Sequence, residues 1–522
     1  MELNMEFVNV QRCCECERIA TFMLLTTSLL LDIAIFLTIL LFLVYKYYTR
    51  NNDFFKKRGV KHIPPTPFLG NFGEILLLKK HPAVWLKDLY DKFGDVPYFG
   101  VYIFDVPYLV IKSPEIVKHV MVKDFHHFMD RSMALARHDD IQPNMMFFQK
   151  GEEWKVTRSK MTPAFTSGKL KAMCPMLAAN GSRLVTYIKN HYGKMDLEEM
   201  SSKYVVDGIF RVFFGMEAHC MDGTNKELTQ LLLQLQQPSL KDTISIFCYL
   251  YQHHFVDWFK LSFGDDVMKN YCVGAFKEAM KARENSSIRV NDLIDIINDL
   301  KKSKEFAQSF DFDGEKVLAQ PFQFFIAGHI TSTLSLTYTL FELTVNPEVQ
   351  AKARKVAQEM LNDYGGITYD ALMDKKYCYL DMVFDETHRK YPALAYLDRA
   401  CTADYKIPGT DYVLRKGDRL LIPTLGHNFD EKYFPNPEKY DPERFLDKHN
   451  QDGLYFLPFG EGPRACIGGR FAGLNLKVAL TNILSNFTLE KIPETPKTIT
   501  KNPKAFGVSP LERINIMFKP IE

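Results

Sequence analysis

One cysteine lies in a setting that suits metal ligation. Cys466 stands in residues 459–472, which contain four glycines and one proline and precede an apolar helical pattern from Arg470 to Phe487. Glycine lets the backbone approach a bulky ligand closely, and the free N–H groups of a helix start favour an anionic sulfur. The segment therefore suits a thiolate that binds a metal. The same cysteine, taken alone, could be a buried thiol beside a glycine turn.

Two further patterns could present side chains to a ligand. Trp154 and Arg158 are four residues apart, so a helix would place both on one face, where they could contact one partner. Such a pair, taken alone, is also typical of a surface contact between a cation and an aromatic ring. Glu386 and Arg389 can pair at a spacing of three residues on another helix, and this pattern alone is weak evidence because it recurs by chance.

A long helix is predicted from about residue 313 to residue 346. Ala327 and Gly328 remove side-chain bulk within it, so a flat ligand can lie against the helix. Thr331 supplies a hydroxyl group one turn further on. Ordinary helix packing would explain the same three residues. Pro321 falls inside the predicted span, where a proline costs about 3 kcal/mol unless a kink is accommodated.

The cysteine segment resembles the haem loop of the cytochrome P450 monooxygenases. Phe459, Gly462, Arg464, Cys466 and Gly468 have the spacing of that loop. The other patterns occur in the order that the family shows, and the resemblance runs from about residue 60 to the C-terminus. Details are most similar to insect microsomal members. The resemblance implies haem b as the cofactor, with Cys466 as the axial thiolate ligand of the iron.

The resemblance also assigns roles to the basic residues. It implies that the helix with Trp154 and Arg158 meets a haem propionate and that Arg399 and Arg464 are further propionate partners. Phe459 and Gly468 would contact the cofactor within the loop. Arginine suits these contacts because its planar fork matches a carboxylate.

A structural triad follows from the same resemblance. Residues 442–445 match the PERF element of the family. Arg444 in this element would join Glu386 and Arg389 behind the haem, where the three residues would fix the cysteine loop and take no part in the chemistry. Loss of one member would leave a buried charge unpaired.

The long helix resembles the oxygen-binding groove of the family, and it departs from the family at one position. Ala327 and Gly328 correspond to the groove, and Thr331 to the residue that positions water and protons for cleavage of the O–O bond. The family usually carries an acid just before the threonine, whereas this chain has Ile330. His329 is a polar neighbour that need not face the haem, because adjacent helix positions are about 100° apart.

The elements that must position these residues make a mainly α fold with a small β subdomain (α+β), which the resemblance identifies as the P450-like haem-thiolate fold. Residues 1–18 are predicted to be a polar tail, 19–48 a membrane anchor, 49–67 a basic and proline-rich linker, and 68–522 the catalytic domain. The family's arrangement would place the turn at residues 505–510 inside the substrate cavity.

The N-terminal segment predicts attachment to a membrane. About 20 consecutive apolar residues span a bilayer, and the run from Ile19 to Tyr45 contains one charged residue, Asp32. Basic residues follow at once and would keep that flank cytosolic. We therefore expect a single-pass anchor in the endoplasmic reticulum membrane, in contact with lipids, and a cytosolic catalytic domain.

The residues before the anchor leave several alternatives open. Cys13, Cys14 and Cys16 could bind zinc, although no second ligand cluster lies nearby in the sequence. They could instead carry lipid or belong to a tail with no function. Translation could also start at Met23 rather than Met1.

Composition excludes some classes of function. Lys and Arg total 65 against 63 Asp and Glu, so the net charge is +2, and this balance argues against nucleic acid as a partner. The ten cysteines do not form a disulfide framework, which indicates a reducing compartment for the main body.

The resemblance to the cytochrome P450 family implies a haem-thiolate monooxygenase that inserts one atom of O2 into lipophilic small molecules. Its electrons would come from an NADPH-dependent membrane reductase. Two alternatives stay open. Ile330 favours an isomerase or dehydratase that rearranges a peroxide without reductase, and the protein could also be a haem-binding protein without catalysis.

Overall fold

The computed structural model describes residues 8–191, 193–284, 292–302, 314–446 and 454–521. The described residues are mainly helical, with three small sheets, and this confirms the predicted fold class. Two compact units contain them: Met1–Phe72 with Gly100–Pro107, and Gly73–Phe99 with Tyr108–Glu522.

The α-helices, numbered along the chain, are as follows: α1 Val8–Thr49, α2 Phe54–Lys57, α3 Gly73–Leu76, α4 Pro82–Lys92, α5 Pro114–Lys118, α6 Gly151–Met161, α7 Ser167–Asn190, α8 Leu197–Phe214, α9 Lys226–Gln236, α10 Leu240–Tyr251, α11 His253–Trp258, α12 Asp266–Glu284, α13 Leu293–Lys302, α14 Ala319–Val345, α15 Pro347–Tyr364, α16 Tyr369–Met373, α17 Tyr379–Lys390, α18 Thr424–Asn428 and α19 Gly469–Asn486.

The strands are β1 Tyr98–Ile103, β2 Val106–Ile111, β3 Lys194–Asp196, β4 Leu397–Ala400, β5 Tyr405–Lys406, β6 Val413–Leu414, β7 Arg419–Ile422, β8 Phe487–Glu490 and β9 Asn515–Pro520. In the larger unit β2 runs parallel to β7, which pairs antiparallel with β4. Strand β9 pairs antiparallel with both β3 and β8, and β5 pairs with β6.

The smaller unit contains the apolar N-terminal helix. Residues Leu29–Thr49 of α1 are long and apolar enough to cross a membrane, and none of this stretch is buried. The helix begins at Val8, so the predicted polar tail is helical from that residue onward. The side chains of Cys13, Cys14 and Cys16 lie outside those that the structure describes.

The predicted linker, residues 49–67, contains a short helix. It contains α2, and Phe55 in this helix is 1% exposed. Its ring packs edge-on against Tyr102, with 5.3 Å between the ring centroids. The Tyr102 hydroxyl accepts the Phe55 N–H and donates to Asn52 O at 3.0 Å. These contacts hold α2 against β1.

Helix α14 is the central element of the larger unit. Its residues from Ala319 to Phe325 and from Ser332 to Thr344 are buried, because the sequence is apolar around the whole helix. Helix α8 packs alongside it. The Thr337 hydroxyl donates to Leu197 O at 3.4 Å, and Ser202 Oγ lies 2.8 Å from His329 Nε2, so the two helices are antiparallel.

The predicted strain at Pro321 is absent. The helix begins at Ala319 rather than near residue 313, so Pro321 is its third residue. The first N–H groups of a helix have no acceptor within the helix, and a proline there removes no such bond. The interpretation of Pro321 as a mid-helix kink was wrong because the preceding turn, Gly314–Leu318, is a 3₁₀ helix.

Buried histidine links stability to pH. His427 in α18 is 1% exposed, and its Nε2 donates to Lys112 O at 2.9 Å. Burial lowers the pKa of His427 to about 4, although Lys112 O and Asp430 act in the opposite direction. Between about pH 6.5 and 4 the unfolded chain therefore binds a proton at this position and the folded chain does not.

We predict that the His427→Gln variant loses less stability in acid than the wild type. As pH falls from 7 to 4, His427 should lower the free energy of unfolding by up to roughly 3 kcal/mol. Urea unfolding at several pH values measures this slope. His254→Gln, on the exposed side of α11, is the matched control and should keep the wild-type slope. Equal slopes for all three proteins would contradict the prediction.

Candidate active site

The cysteine loop is folded tightly on itself and on the segment His119–Lys123. The Cys466 N–H donates to Phe459 O at 2.8 Å, and the Phe459 ring packs against His388. Gly462 has φ +73°, and a Cβ at this position would overlap Met121 O. Only glycine fits there, so the close contact with Met121 fixes the path of the loop.

The Cys466 thiol is exposed to solvent, yet burial raises its pKa above the ordinary value. The two observations agree if the sulfur faces a space that protein atoms surround on its other sides. The N–H groups of Gly468 and Gly469, together with Arg158 and Arg131, oppose the effect of burial. The sulfur is therefore placed where positive charge and N–H donors converge, as the sequence predicts.

Several guanidinium groups are buried near this loop. Arg464 lies over the Trp154 ring, 4.9 Å from its centroid, and donates to Gln149 O. Arg399 is 1% exposed and donates to Asp398 O at 2.7 Å. Burial lowers the pKa of both arginines, to about 9 for Arg399, and Arg131 lowers each of them further.

These guanidinium groups have unused hydrogen-bonding capacity. Arg399 Nε, Arg464 Nη1 and Arg131 Nε are buried without a protein acceptor. Arg158 is half-buried and has no carboxylate partner among the residues that the structure describes. Burial lowers the pKa of Arg158, and Cys466 partly opposes this effect. Buried donors without acceptors are costly, so this cluster suits a ligand that brings anionic oxygens.

Sequence reasoning missed three members of this cluster. Asp398 Oδ1 accepts from Arg131 at 3.2 Å, and its Oδ2 accepts from the Ser132 N–H at 2.6 Å. Burial alone would raise the pKa of Asp398, but Arg131, Ser132 and Arg399 outweigh it and hold this pKa below the ordinary value. No pattern marks Arg131 and Ser132 in the sequence, because they lie in an irregular segment.

Helix α14 is open to its surroundings near Ala327. Ala327 is exposed and Thr331 partly exposed, although most of the helix is buried. The Thr331 hydroxyl donates to Ala327 O at 2.8 Å. Phe165 packs on Phe324 with 5.3 Å between the ring centroids and lies 4.0 Å from the Cβ position of Gly468. The groove side of α14 and the cysteine loop thus lie on either side of Phe165.

Gly328 has a different neighbour from the one that the sequence indicated. A Cβ at Gly328 would lie 3.0 Å from Ile209 Cδ1 in α8. The missing side chain therefore admits α8, and Ala327 alone keeps the groove side small. His329 also faces α8, as its contact with Ser202 shows, and burial lowers its pKa to about 4.

The structure brings the predicted triad together. Arg389 donates to both carboxylate oxygens of Glu386, at 2.7 and 2.9 Å, and both side chains are fully buried. Arg444 Nε donates to Glu386 Oε1 at 3.2 Å, and the Asp441 N–H donates to the same oxygen at 2.8 Å. Glu386 thus joins α17 to the segment that contains the PERF element.

A cavity of about 1230 Å³ borders α14 beyond the groove. Phe322, Ile326 and Ile330 line it from α14, and Phe506 lines it from the turn near the C-terminus. Cys466, Ala327 and Thr331 are outside this lining. The cavity and the groove therefore meet the same stretch of α14 on neighbouring faces.

These parts fit a haem. Unsatisfied guanidinium donors suit its propionates, a small residue on an open helix face suits its flat ring, and a thiol among N–H donors suits its iron. The class of protein that such a site defines is a haem-thiolate oxidoreductase.

Comparison with known proteins supports this class of protein. The family model for cytochrome P450 matches residues 61–516. The chain is 36% identical to cytochrome P450 6j1 of Blattella germanica, over 90% of this chain and 93% of that protein. It is 31% identical to cytochrome P450 6B1 of Papilio polyxenes, over 86% and 91%. The chain belongs to the cytochrome P450 family and is a P450 monooxygenase, and the family implies a haem-thiolate cofactor.

We predict that Glu386→Gln destabilises the fold strongly. The change leaves Arg389 buried without its counter-charge, which costs about 3–5 kcal/mol. Glu443→Gln is the matched control, since Glu443 is exposed and pairs with Lys352 at the surface, and it should cost less than about 1 kcal/mol. Denaturant unfolding of both variants measures the difference. Similar costs for the two variants would contradict a special role for Glu386.

Proposed function

We propose that this protein inserts one oxygen atom of O2 into lipophilic small molecules with electrons from an NADPH-dependent membrane reductase. The observation that carries the proposal is the cysteine loop beside a cluster of buried guanidinium groups. The apolar side chains of Phe322, Ile326, Ile330 and Phe506 along one wall of the nearby cavity support lipophilic substrates. The named relatives are also cytochromes P450.

Cys466 is proposed as the axial ligand of haem b. The haem, when bound, supplies the activation of O2. Before ligation the thiol must lose a proton that burial helps it to retain, so binding of iron and release of a proton are coupled at this sulfur. The N–H groups of Gly468 and Gly469 then hold the negative charge on the sulfur.

The basic cluster is proposed to hold the propionates. Arg399 and Arg464 each have an N–H group without a protein acceptor. Arg158 has no carboxylate partner among the described residues. Trp154 supports Arg464 through its ring. Arg131 is an additional candidate that the structure brings into this cluster. Neutralisation of several buried guanidinium groups by two carboxylates would also stabilise the fold around the cofactor.

Thr331 is proposed to position water on the oxygen-binding side. Its own proton is donated to Ala327 O, so its oxygen remains available to accept a hydrogen bond from water. Ile330 provides no carboxylate, and proton delivery must then pass through water and Thr331. This feature favours a second candidate function, the rearrangement of a peroxide without reductase, which requires no such delivery.

The protein is proposed to be anchored in the endoplasmic reticulum membrane by α1. The stretch Leu29–Thr49 is sufficient in length and composition. Lys46, Arg50, Lys56 and Lys57 follow its apolar part and favour a cytosolic location for the residues beyond.

Replacement of the sulfur ligand tests the proposed haem site. We predict that Cys466→Ser abolishes the thiolate-type absorption band of the reduced carbon monoxide complex, because a serine hydroxyl cannot replace the thiolate. Cys174→Ser, which changes a buried cysteine in α7, should keep the band. Product formation that requires NADPH and reductase should follow the same pattern. An unchanged band in the Cys466 variant would exclude Cys466 as the ligand.

Replacement of Ile330 tests proton delivery. We predict that the wild type releases much of its reducing equivalents as hydrogen peroxide and that Ile330→Glu lowers the peroxide released per NADPH severalfold. The matched control is Ile330→Gln, which has the same length but no ionisable carboxyl group. Peroxide and NADPH are measured together in the reconstituted enzyme. Unchanged coupling in the Ile330→Glu variant would show that the missing acid does not limit the reaction.

A further inference from the structure

The cavity beside α14 has two chemically different walls. Its inner wall is apolar and consists of Phe322, Ile326, Ile330 and Phe506. Gly507 next to Phe506 packs closely on Leu334 and Ile330, since a Cβ there would lie 3.2 and 3.8 Å from these side chains. A hydrocarbon group would fit against this wall, close to the groove side of α14.

The wall toward α8 contains polar atoms without partners. His329 and Thr333 are one helical turn apart on α14, and they are 2% and 3% exposed. Both residues line the cavity. His329 Nδ1 and Thr333 Oγ1 have no hydrogen-bond partner in the protein. These two atoms are themselves buried, and they make the wall toward α8 more polar than the inner wall.

A carboxyl group without a partner stands at the same wall. Glu198 in α8 is partly buried and lines the cavity, and among the described residues no hydrogen bond or ion pair engages its side chain. Its neighbours differ, since Asp196 caps α8 by accepting two N–H groups and Glu199 pairs with Lys203 at 2.7 Å. Burial raises the pKa of Glu198 to about 8, and Asp196 adds to this effect.

The charges around Glu198 favour a positively charged ligand. Acidic side chains outnumber basic ones along the cavity by seven to three, the basic residues being Lys241, Lys504 and Arg513. His329 is neutral near pH 7, because burial lowers its pKa to about 4. It therefore adds no positive charge to this wall. A cation would stabilise the ionised form of Glu198.

We propose that the substrates of this enzyme include lipophilic amines, whose protonated nitrogen pairs with Glu198 and whose hydrocarbon part lies along Phe322, Ile326 and Ile330. This inference rests on the proposed function, because the oxidised carbon lies at the haem.

The helix also sets the distance between the two ends of the substrate. The Thr337 hydroxyl donates to Leu197 O, so the start of α8 lies beside Thr337. Thr337 is six residues beyond Thr331, which corresponds to about 9 Å along the helix axis. An eight-carbon chain spans this distance, and oxidation should occur at the end of the chain remote from the nitrogen.

Three matched probes test the charge preference in the full-length haem protein. They are N,N-dimethyloctylamine, which is a cation, N,N-dimethyloctanamide, which is neutral, and octanoate, which is an anion. We expect the amine to bind at least tenfold more tightly than the amide and octanoate to bind most weakly. The Soret band should shift to shorter wavelength, because the hydrocarbon end displaces water from the iron. A shift to longer wavelength would mean that nitrogen binds the iron, and this would overturn the proposed orientation.

Two variants, each of which removes one negative charge, test which carboxylate contacts the amine. Glu198→Gln should weaken binding of the amine at least tenfold and leave binding of the amide unchanged. Glu199→Gln removes the neighbouring carboxylate, which pairs with Lys203, and should leave both affinities unchanged. The carbon monoxide band shows whether each variant is folded. If Glu198→Gln does not fold, two measurements on the wild type test the inference. They are its relative affinities for the three probes and the direction of its Soret shift.

The inference fails separately from the proposed function. Equal affinity of the wild type for the three probes, or an equal loss in both variants, would overturn the inference. If the amide is still oxidised with NADPH and reductase, the proposed function stands in either case. A wild-type protein without the thiolate-type band or without oxidation of any probe would instead count against the proposed function.

Discussion

Positive charge buried without enough counter-charge is the constraint on which this site depends. Arg131 lowers the pKa of Arg399, and Arg131 and Arg399 together lower the pKa of Arg464. Asp398 is the one carboxylate paired with a member of this group among the described residues. Guanidinium groups keep their charge even when burial disfavours it, so the fold cannot relieve the repulsion by deprotonation. An anionic group relieves it, and the propionates of the proposed haem would supply such groups.

Helix α14 presents different surfaces to α8 and to the open groove. Gly328 and His329 face α8, where a missing side chain admits Ile209 and an imidazole meets Ser202. Ala327 and Thr331 face the open groove. Because the helix period separates adjacent positions by about 100°, these four residues divide between the two sides. The cavity is a third neighbour of this helix and is lined by Ile326 and Ile330.

The sequence was sufficient to predict the fold class and the family, and short motifs mark most of the residues that are proposed for the site. Cys466, Arg464 and Arg444 stand at fixed distances from glycines, prolines or other charged residues. Arg131 and Glu198 carry no such mark, since their surroundings come from chain segments far away in sequence. The errors at Pro321 and Gly328 have a related cause. A pattern in one segment does not reveal where a helix begins or which helix packs on it.

Phe165 has a consequence for the dimensions of the site. Its ring contacts Phe324 of α14 on one side and lies beside Gly468 on the other, and only 7% of it is exposed. A flat aromatic ring cannot be compressed and has few rotamers when buried. It therefore acts as a rigid spacer between the helix and the cysteine loop. The thickness of what can be held between these two walls is set by one side chain that takes no part in the chemistry.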